Sequence, residues 1–200
     1  VSAVDFAYAK QLGFRIKLVG TAEPGRMPRM QTCLLPMSSQ LAKVDGVLNA
    51  VEFDADPVGS VVLTGPGAGS GATSSAVLSD LVDLACNRIP FTFGRPVAAL
   101  ADGSAVENGG GPDMPFYVRL MVVDKPGVLA DITSVLQIHG LSVESMLQQG
   151  RAPQDTVALV LATHEVCVEP LMTALSEIES LSCVMAAPVA MPILVPGQEG

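Results

Sequence analysis

The order of apolar segments between Pro115 and Val195 constrains the fold more than any other feature of the sequence. Strand-like and helix-like patterns follow one another there as βαββαβ. Strands are predicted over 116–123, 141–148, 156–163 and 183–194, and helices over 127–138 and 168–180. This order predicts the split ferredoxin-like arrangement, an antiparallel sheet with both helices on one face. We expect the other face of the sheet to be bare and to need a partner.

A Lys-Pro-Gly turn joins the first of these strands to the first helix. Asp124 ends the apolar run, Pro126 suits the first helical position, and Gly127 lets the backbone approach another group closely. The N–H groups of a first helical turn have no intrahelical partners and can hold a carboxylate. These residues alone leave two interpretations open, a plain strand-to-helix turn and a carboxylate site.

The segment 1–97 has a mixed α/β pattern. Helices are predicted over 4–12 and 74–87, and strands over 14–19, 30–35, 47–53 and 60–63. The glycine-rich loop 64–73 leads into the second helix, an order used by phosphate and dinucleotide sites. The loop lacks Gly-Lys-Ser/Thr and the Gly-x-Gly-x-x-Gly spacing of a Rossmann fingerprint. The loop has two interpretations. Its backbone passes close to a ligand or to another chain segment, or the loop is only a tight connection between the strand and the helix.

Residues 98–114 are small, polar and rich in glycine, which predicts a flexible linker between two domains. We therefore divide the chain into 1–97, 98–114 and 115–195. The chain opens at Val1 with a helix-capping pattern, Ser2 followed by Asp5, so we expect it to be the C-terminal part of a longer polypeptide.

Composition disfavours several classes of partner. A net charge of −9, aromatic residues at 4% and the absence of tryptophan disfavour nucleic acids and anionic membranes. No apolar run is long enough to span a bilayer. The four cysteines have no Cys-x-x-Cys spacing, so we predict reduced, buried thiols in a cytosolic protein and no zinc site.

Two further groups of polar residues are better explained by a structural role than by a chemical one. Asp54 and Asp56 alternate like metal ligands but lie in an Asp/Pro turn with no third ligand, so no metal site is predicted. Lys17 lies on the solvated face of a predicted strand and is interpreted as a surface residue and not as a catalytic one.

The second half of the chain resembles the ACT family of small-molecule regulatory domains, through the motif Asp124-x-Pro-Gly127-x-Leu129-Ala130-x-Ile132 followed by βαβ. The resemblance implies an amino-acid binding module that pairs side by side and holds its effector at the dimer interface. By that resemblance the effector ligands are Asp124, Gly127, Val128 and Leu129, with Gln148 facing them from the second strand.

The first half resembles the end of the catalytic domain of the homoserine dehydrogenase family. The matching segments are Asp5-Phe6-Ala7-Tyr8-Ala9-x-x-Leu12-Gly13-x-x-Ile16-Lys17-Leu18, Leu48-Asn49-Ala50-Val51 and Gly65-x-Gly67-Ala68-Gly69-x-x-x-Thr73-x-x-Ala76-Val77-x-x-Asp80-Leu81. In the second half, Glu144-Ser145 with Gln148, and Thr163-His164, resemble the ACT tail of the same enzymes. The expected fold is therefore α+β, a ferredoxin-like ACT domain preceded by a mixed α/β remnant of a dehydrogenase catalytic domain.

That family resemblance implies reversible NAD(P)H-dependent reduction of L-aspartate 4-semialdehyde to L-homoserine. L-Threonine is the expected feedback effector, and the expected assembly is a homo-oligomer formed through the ACT and catalytic domains. Gly67, Ala68 and Gly69 are carried over as neighbours of NADP or NAD, and the choice between the two stays open.

The family's Rossmann fingerprint and the segment with its substrate-binding Asp and catalytic Lys do not occur in this sequence. No catalytic residue is therefore assigned, and we expect the 200-residue chain alone to be inactive. Two alternatives stay open, a non-enzymatic amino-acid sensor on an unrelated partner domain and an ACT domain that only dimerises.

Overall fold

The computed structural model describes residues 1–24, 26–88, 91, 94–100, 112–148 and 155–195. They form two compact units, one of residues 1–42 with 108–200 and the other of residues 43–107. Residues 101–111 of the predicted linker and residues 149–154 lie outside the described part of the chain. In chain order the elements are α1 (Ala3–Gln11), β1 (Phe14–Thr21), β2 (Arg29–Pro36), β3 (Leu48–Ala55), β4 (Gly59–Pro66), α2 (Ser70–Ala85), β5 (Phe116–Val123), α3 (Val128–Ile138), β6 (Val143–Gln148), β7 (Thr156–Thr163), α4 (Val168–Glu179) and β8 (Val184–Pro192).

The predicted βαββαβ arrangement is confirmed in the larger unit. Strands β5 to β8 form one antiparallel sheet in the order β6-β7-β5-β8, with α3 and α4 packed on one face. Helix α3 buries Ile132, Val135 and Leu136, which recur at helical spacing, against Leu120 and Leu159 of the central strands. This core fixes the position of α3 relative to β5 and β7.

The other face of this sheet is covered, so the prediction that it is bare is wrong. Helix α1 and strand β2 cover it, and Tyr8 and Leu34 pack there against Tyr117 and Val160. Strand β2 also bonds to the segment after β8, where the Leu194 N–H donates to the Leu34 carbonyl at 2.9 Å. Packing therefore joins residues 1–42 to the C-terminal sheet, whereas the composition-based boundaries 1–97, 98–114 and 115–195 stay a prediction.

A buried ionic network holds α1 against β5. The Asp5 side chain is completely buried and accepts hydrogen bonds from Arg119 Nε at 2.6 Å and from the Tyr117 hydroxyl at 3.0 Å. Its other oxygen accepts bonds from the Ser2 N–H at 2.6 Å and the Ser2 hydroxyl at 3.0 Å, so the predicted capping pair is present. Burial alone would raise the pKa of Asp5, but the hydrogen bonds from Arg119, Ser2 and Tyr117 outweigh it and lower the pKa below its ordinary value.

The lowered pKa of Asp5 predicts a pH-dependent part of the stability. In the unfolded chain the ordinary pKa is 3.8, so the contribution is fully present above pH 3.8 and is lost as the pH falls through the lower folded value. Between about pH 6 and about pH 3, urea unfolding should therefore show a smaller loss of unfolding free energy for Asp5→Asn than for the wild type. Glu23→Gln, which removes an exposed carboxylate, should follow the wild type. An Asp5→Asn profile parallel to that of the wild type would contradict this assignment.

The smaller unit consists of the β3–β4 hairpin and α2. Helix α2 begins at Ser70, earlier than the predicted Ser74, because Gly69 takes φ +117° as the N-cap and ends the loop there. Its apolar stripe does not meet a core, because no residue of α2 is buried and Val77, Leu81 and Leu84 are each more than half exposed. Helix α2 is thus amphipathic as predicted, but its apolar side is exposed.

The described residues also bear on membrane crossing, metal binding and the state of the cysteines. None of the described helices is long and apolar enough to cross a membrane. Among the described residues, no three His, Cys, Asp or Glu side chains cluster as a metal site would need. All four cysteines are free thiols; Cys33 and Cys183 are buried as predicted, whereas the prediction is wrong for Cys86 and Cys167, which are exposed.

The two kinds of thiol are expected to differ in reactivity. Burial raises the pKa of Cys33 to about 11, and the thiolate is the reactive form. With iodoacetamide at about pH 8, Cys86 should therefore be alkylated well before Cys33 in the folded chain. Peptide mass spectrometry at timed intervals measures both rates, and urea-unfolded chain serves as the control in which they should converge. Equal rates in the folded chain would contradict the burial of Cys33.

Candidate functional site

A cavity of about 380 Å³ lies beside the start of α3, between the β5–α3 turn and the neighbouring strands. Its wall is formed by Val122, Val123, Asp124, Lys125, Pro126, Gly127, Val128, Leu129, Gln148 and Leu159. Every residue predicted as an effector ligand belongs to this wall. The structure thus brings the predicted residues together, and their role as ligands stays a prediction.

Gly127 shapes the entrance to α3. It is the N-cap of the helix and adopts the left-handed conformation, with φ +96° and ψ −23°. A Cβ added at Gly127 would meet no protein atom within 4 Å, so backbone conformation and not crowding requires glycine here. The prediction that Pro126 occupies the first helical position is wrong, because the helix begins at Val128 and Pro126 precedes the N-cap.

The first turn of α3 presents backbone donors at the cavity. The first intrahelical bond runs from the Asp131 N–H to the Gly127 carbonyl, at 3.0 Å. The N–H groups of Val128, Leu129 and Ala130 come before this bond and therefore have no partner within the helix. Gly127 offers no side chain to cap them. The positive end of the helix dipole adds to these donors, so the turn is suited to an anionic group such as a carboxylate.

The opposite wall combines an apolar floor with a polar side chain. Gln148, the last residue of β6, pairs with Leu159 of β7, and residues paired in this way face the same side of a sheet. Leu159 is fully buried, whereas Gln148 is exposed. The Asp124 N–H donates to the Asp155 carbonyl at 2.9 Å, which fixes the turn against the start of β7. The cavity therefore places an anion-binding helix end, a carboxylate, an amide and apolar side chains around one small volume.

The glycine loop lies in the smaller unit, between β4 and α2. A Cβ added at Gly67 would overlap the side chain of Asn49, which lies on β3. Of the possibilities left open by the sequence, the close approach at Gly67 is thus to another chain segment. Gly69 is the N-cap of α2, which has no side-chain cap, and Ala68 precedes it. A cofactor contact by Gly67, Ala68 or Gly69 stays a prediction.

The sequence did not reveal part of the cavity wall or the bonds that Tyr117 and Arg119 make to Asp5. Leu159 carries no chemical motif, and only its strand alternation, which places it under the helices, could have pointed to it. Arg119 stands alone in the apolar run Val118 to Val123, and such an isolated charge in a central strand is a sign of a buried partner.

The sequence model of the ACT domain matches residues 116–183, which include every residue of the cavity wall. The model described as homoserine dehydrogenase matches residues 1–82. The chain belongs to the homoserine dehydrogenase family and joins part of that family's catalytic domain to an ACT domain. An ACT domain on an unrelated partner is therefore not favoured.

Named relatives agree with this assignment. Homoserine dehydrogenase of Neisseria gonorrhoeae is 35% identical over 190 residues, which are 90% of this chain and 43% of the relative. The enzyme of Pseudomonas aeruginosa is 35% identical over 192 residues, 90% of this chain and 44% of the relative. The crystal structure of a homoserine dehydrogenase from Thiobacillus denitrificans superposes with a TM-score of 0.77 at 31% identity, over 98% of this chain and 46% of that chain. The chain thus spans less than half the length of these relatives.

Proposed function

We propose that the protein containing this chain is a cytoplasmic homoserine dehydrogenase whose activity is controlled by an amino acid bound at α3. The reaction would be the NAD(P)-dependent interconversion of L-aspartate 4-semialdehyde and L-homoserine, in threonine, methionine and isoleucine biosynthesis. The relatives named above support the reaction class. The observation that carries the regulatory part is the cavity in which the uncapped start of α3 faces Asp124 and Gln148.

The residues of the cavity wall support L-threonine as the proposed amino acid. The carboxylate of the amino acid would accept hydrogen bonds from the N–H groups of Val128 and Leu129, and its ammonium group would pair with the Asp124 carboxylate. The Gln148 amide can bond the hydroxyl, and Leu159 offers an apolar surface to the methyl group. Each polar group of the ligand thus has a partner of complementary charge or hydrogen-bonding type.

The dehydrogenase part of the chain would contribute residues at the edge of the cofactor site. Gly67, Ala68 and Gly69 are proposed as neighbours of NADP or NAD, because the N–H groups at the start of the 16-residue helix α2 have no side-chain cap and suit a phosphate. The nicotinamide supplies hydride transfer when it is bound. We propose that the 200-residue chain alone is inactive, because the family's catalytic Lys motif does not occur in it.

A homo-oligomer through both domains is part of the proposal. In the larger unit, β6 and β8 are the edges of the sheet and can pair with a second copy. In the smaller unit, Val51, Phe53 and Leu63 of the hairpin are each more than half exposed, as is the apolar side of α2. Such exposed apolar surface favours a protein interface.

Calorimetric titration of the chain with L-threonine tests the regulatory part. We expect saturable binding that D-threonine does not reproduce, because the carboxylate and ammonium partners are fixed in space. The matched control is 1-amino-2-propanol, which keeps the amine, hydroxyl and methyl groups of threonine but lacks the carboxylate, and it should not bind. If no amino acid binds, the ACT domain serves another role, such as dimerisation alone. The longer polypeptide should separately oxidise L-homoserine with NADP or NAD.

A further inference from the structure

We infer that Asp5, Tyr117 and Arg119 form the joint through which an effector in the α3 cavity acts on the dehydrogenase part of the chain. This inference rests on the proposed function, because it concerns the effector proposed for that cavity. The joint lies between α1, which falls within the segment matched by the dehydrogenase model, and β5, which falls within the segment matched by the ACT model.

Strand β5 carries the joint and the cavity at its two ends. Tyr117 and Arg119, in its first half, hold Asp5, and Val122 and Val123, at its end, line the cavity. At about 3.3 Å per residue, Arg119 and Val122 are separated by about 10 Å along the strand. The pairing of β5 with β7 is uninterrupted from Tyr117 to Val123, whereas its register with β8 shifts between Arg119 and Val122. A displacement of the end of β5 would therefore reach the joint along the strand and its ladder with β7.

Strand β7 provides a second attachment of α1 beside the same cavity. The Tyr8 hydroxyl donates to the Ala158 carbonyl at 3.3 Å, and the next residue, Leu159, lines the cavity. Helix α1 is thus bonded to both central strands, and each of these strands also contributes to the cavity wall. The helix is placed to respond when the two strands shift relative to each other.

The ionic nature of the joint makes it stiff. Apolar contacts such as those of Ala9 tolerate small sliding movements, whereas a buried charge pair requires its hydrogen bonds to be kept. Asp5 is fully buried and the side chain of Arg119 is only 11% exposed, so solvent does not reach Asp5 to replace a lost bond. A shift of β5 must therefore be followed by α1. Transmission of this kind needs a rigid contact with discrete arrangements.

The test uses the longer enzyme and two conservative variants of the joint. Tyr117→Phe keeps the buried ring and removes one hydrogen bond to Asp5, and Asp5→Asn keeps the shape and removes the charge. The matched control is Arg26→Gln, which breaks an exposed ion pair with Glu23 of similar length, 2.7 Å. For each protein we would measure the dissociation constant for L-threonine and the maximal inhibition at saturating L-threonine, relative to its own uninhibited rate.

We expect both joint variants to bind L-threonine within about threefold of the wild type, while their maximal inhibition falls by at least about threefold, within the usual range of allosteric coupling. The control should match the wild type in both measurements. In the wild type, L-threonine should also change hydrogen exchange of the α1 amides, and Tyr117→Phe should weaken that change. A merely structural role would not separate binding from inhibition.

Full inhibition in both joint variants would overturn the inference and leave the effector site standing. Absence of L-threonine binding to the wild type would overturn the proposed function, and the inference with it. Because Tyr117→Phe leaves the packing of the core unchanged, it keeps the test decisive even if Asp5→Asn fails to fold.

Discussion

Replacement of Gly127 by valine is expected to raise the dissociation constant for L-threonine by about 100-fold or more. Gly127 has φ +96°, a conformation that costs an L-residue about 1–2 kcal/mol and a β-branched residue more. The chain will relieve this strain by rotating the turn, which redirects the N–H groups of Val128 and Leu129. Loss of two hydrogen bonds to a charged group, at about 1.5–3 kcal/mol each, gives the stated change. Calorimetric titration measures it.

Gly140→Val is the matched control for this variant. Gly140 follows the other end of α3, also has positive φ, at +69°, and likewise has open space where a Cβ would lie. Gly140→Val should lower the unfolding free energy about as much as Gly127→Val and leave the affinity for L-threonine within about twofold. If both variants lose affinity equally, the loss reflects general destabilisation, and the α3 N-terminus is not the site.

Replacement of Asp5 by alanine is expected to lower the free energy of unfolding by about 3–5 kcal/mol. The substitution leaves the Arg119 guanidinium nearly buried without its carboxylate, and it leaves the buried Tyr117 hydroxyl without its acceptor. Breaking one side of a buried ion pair costs more than removing both charges. Urea unfolding at neutral pH measures the change.

Two comparisons isolate the buried charge. Adding Arg119→Met to Asp5→Ala removes the unpaired cation and should recover a substantial part of the lost stability. Glu23→Ala, which breaks an exposed pair with Arg26, should cost less than about 1 kcal/mol. An Asp5→Ala loss no larger than that of Glu23→Ala would show that Asp5 is not buried with Arg119.

The sequence predicted those parts of the molecule that depend on local pattern. The order βαββαβ followed from alternation and helical spacing, and the bounds Phe116–Val123 and Thr156–Thr163 match the predicted strands. The cavity residues could be grouped because Asp124 to Leu129 are contiguous. Gln148 came only from the family resemblance, and the register that pairs it with Leu159 places it at the same cavity.

Long-range packing was beyond the sequence. No local pattern indicates that α1 covers the sheet, because its contact partners, such as Tyr117, lie more than a hundred residues further along the chain. The capping pattern with Ser2 accounts for Asp5 without a distant partner, so the local pattern does not indicate its bond to Arg119. The start of α2 was placed late because the run from Gly65 to Gly71 resembles a loop, although Ser70 and Gly71 already belong to the helix.

The central claim is that the first turn of α3 holds the carboxylate of an amino acid. Amide NMR of the chain during titration with L-threonine tests it most directly. Binding should shift the N–H resonances of Val128, Leu129 and Ala130 the most and leave that of Gly140 nearly unchanged. The control compound 1-amino-2-propanol should shift none of these resonances. Saturable binding of L-threonine without shifts at Val128 to Ala130 would contradict the account.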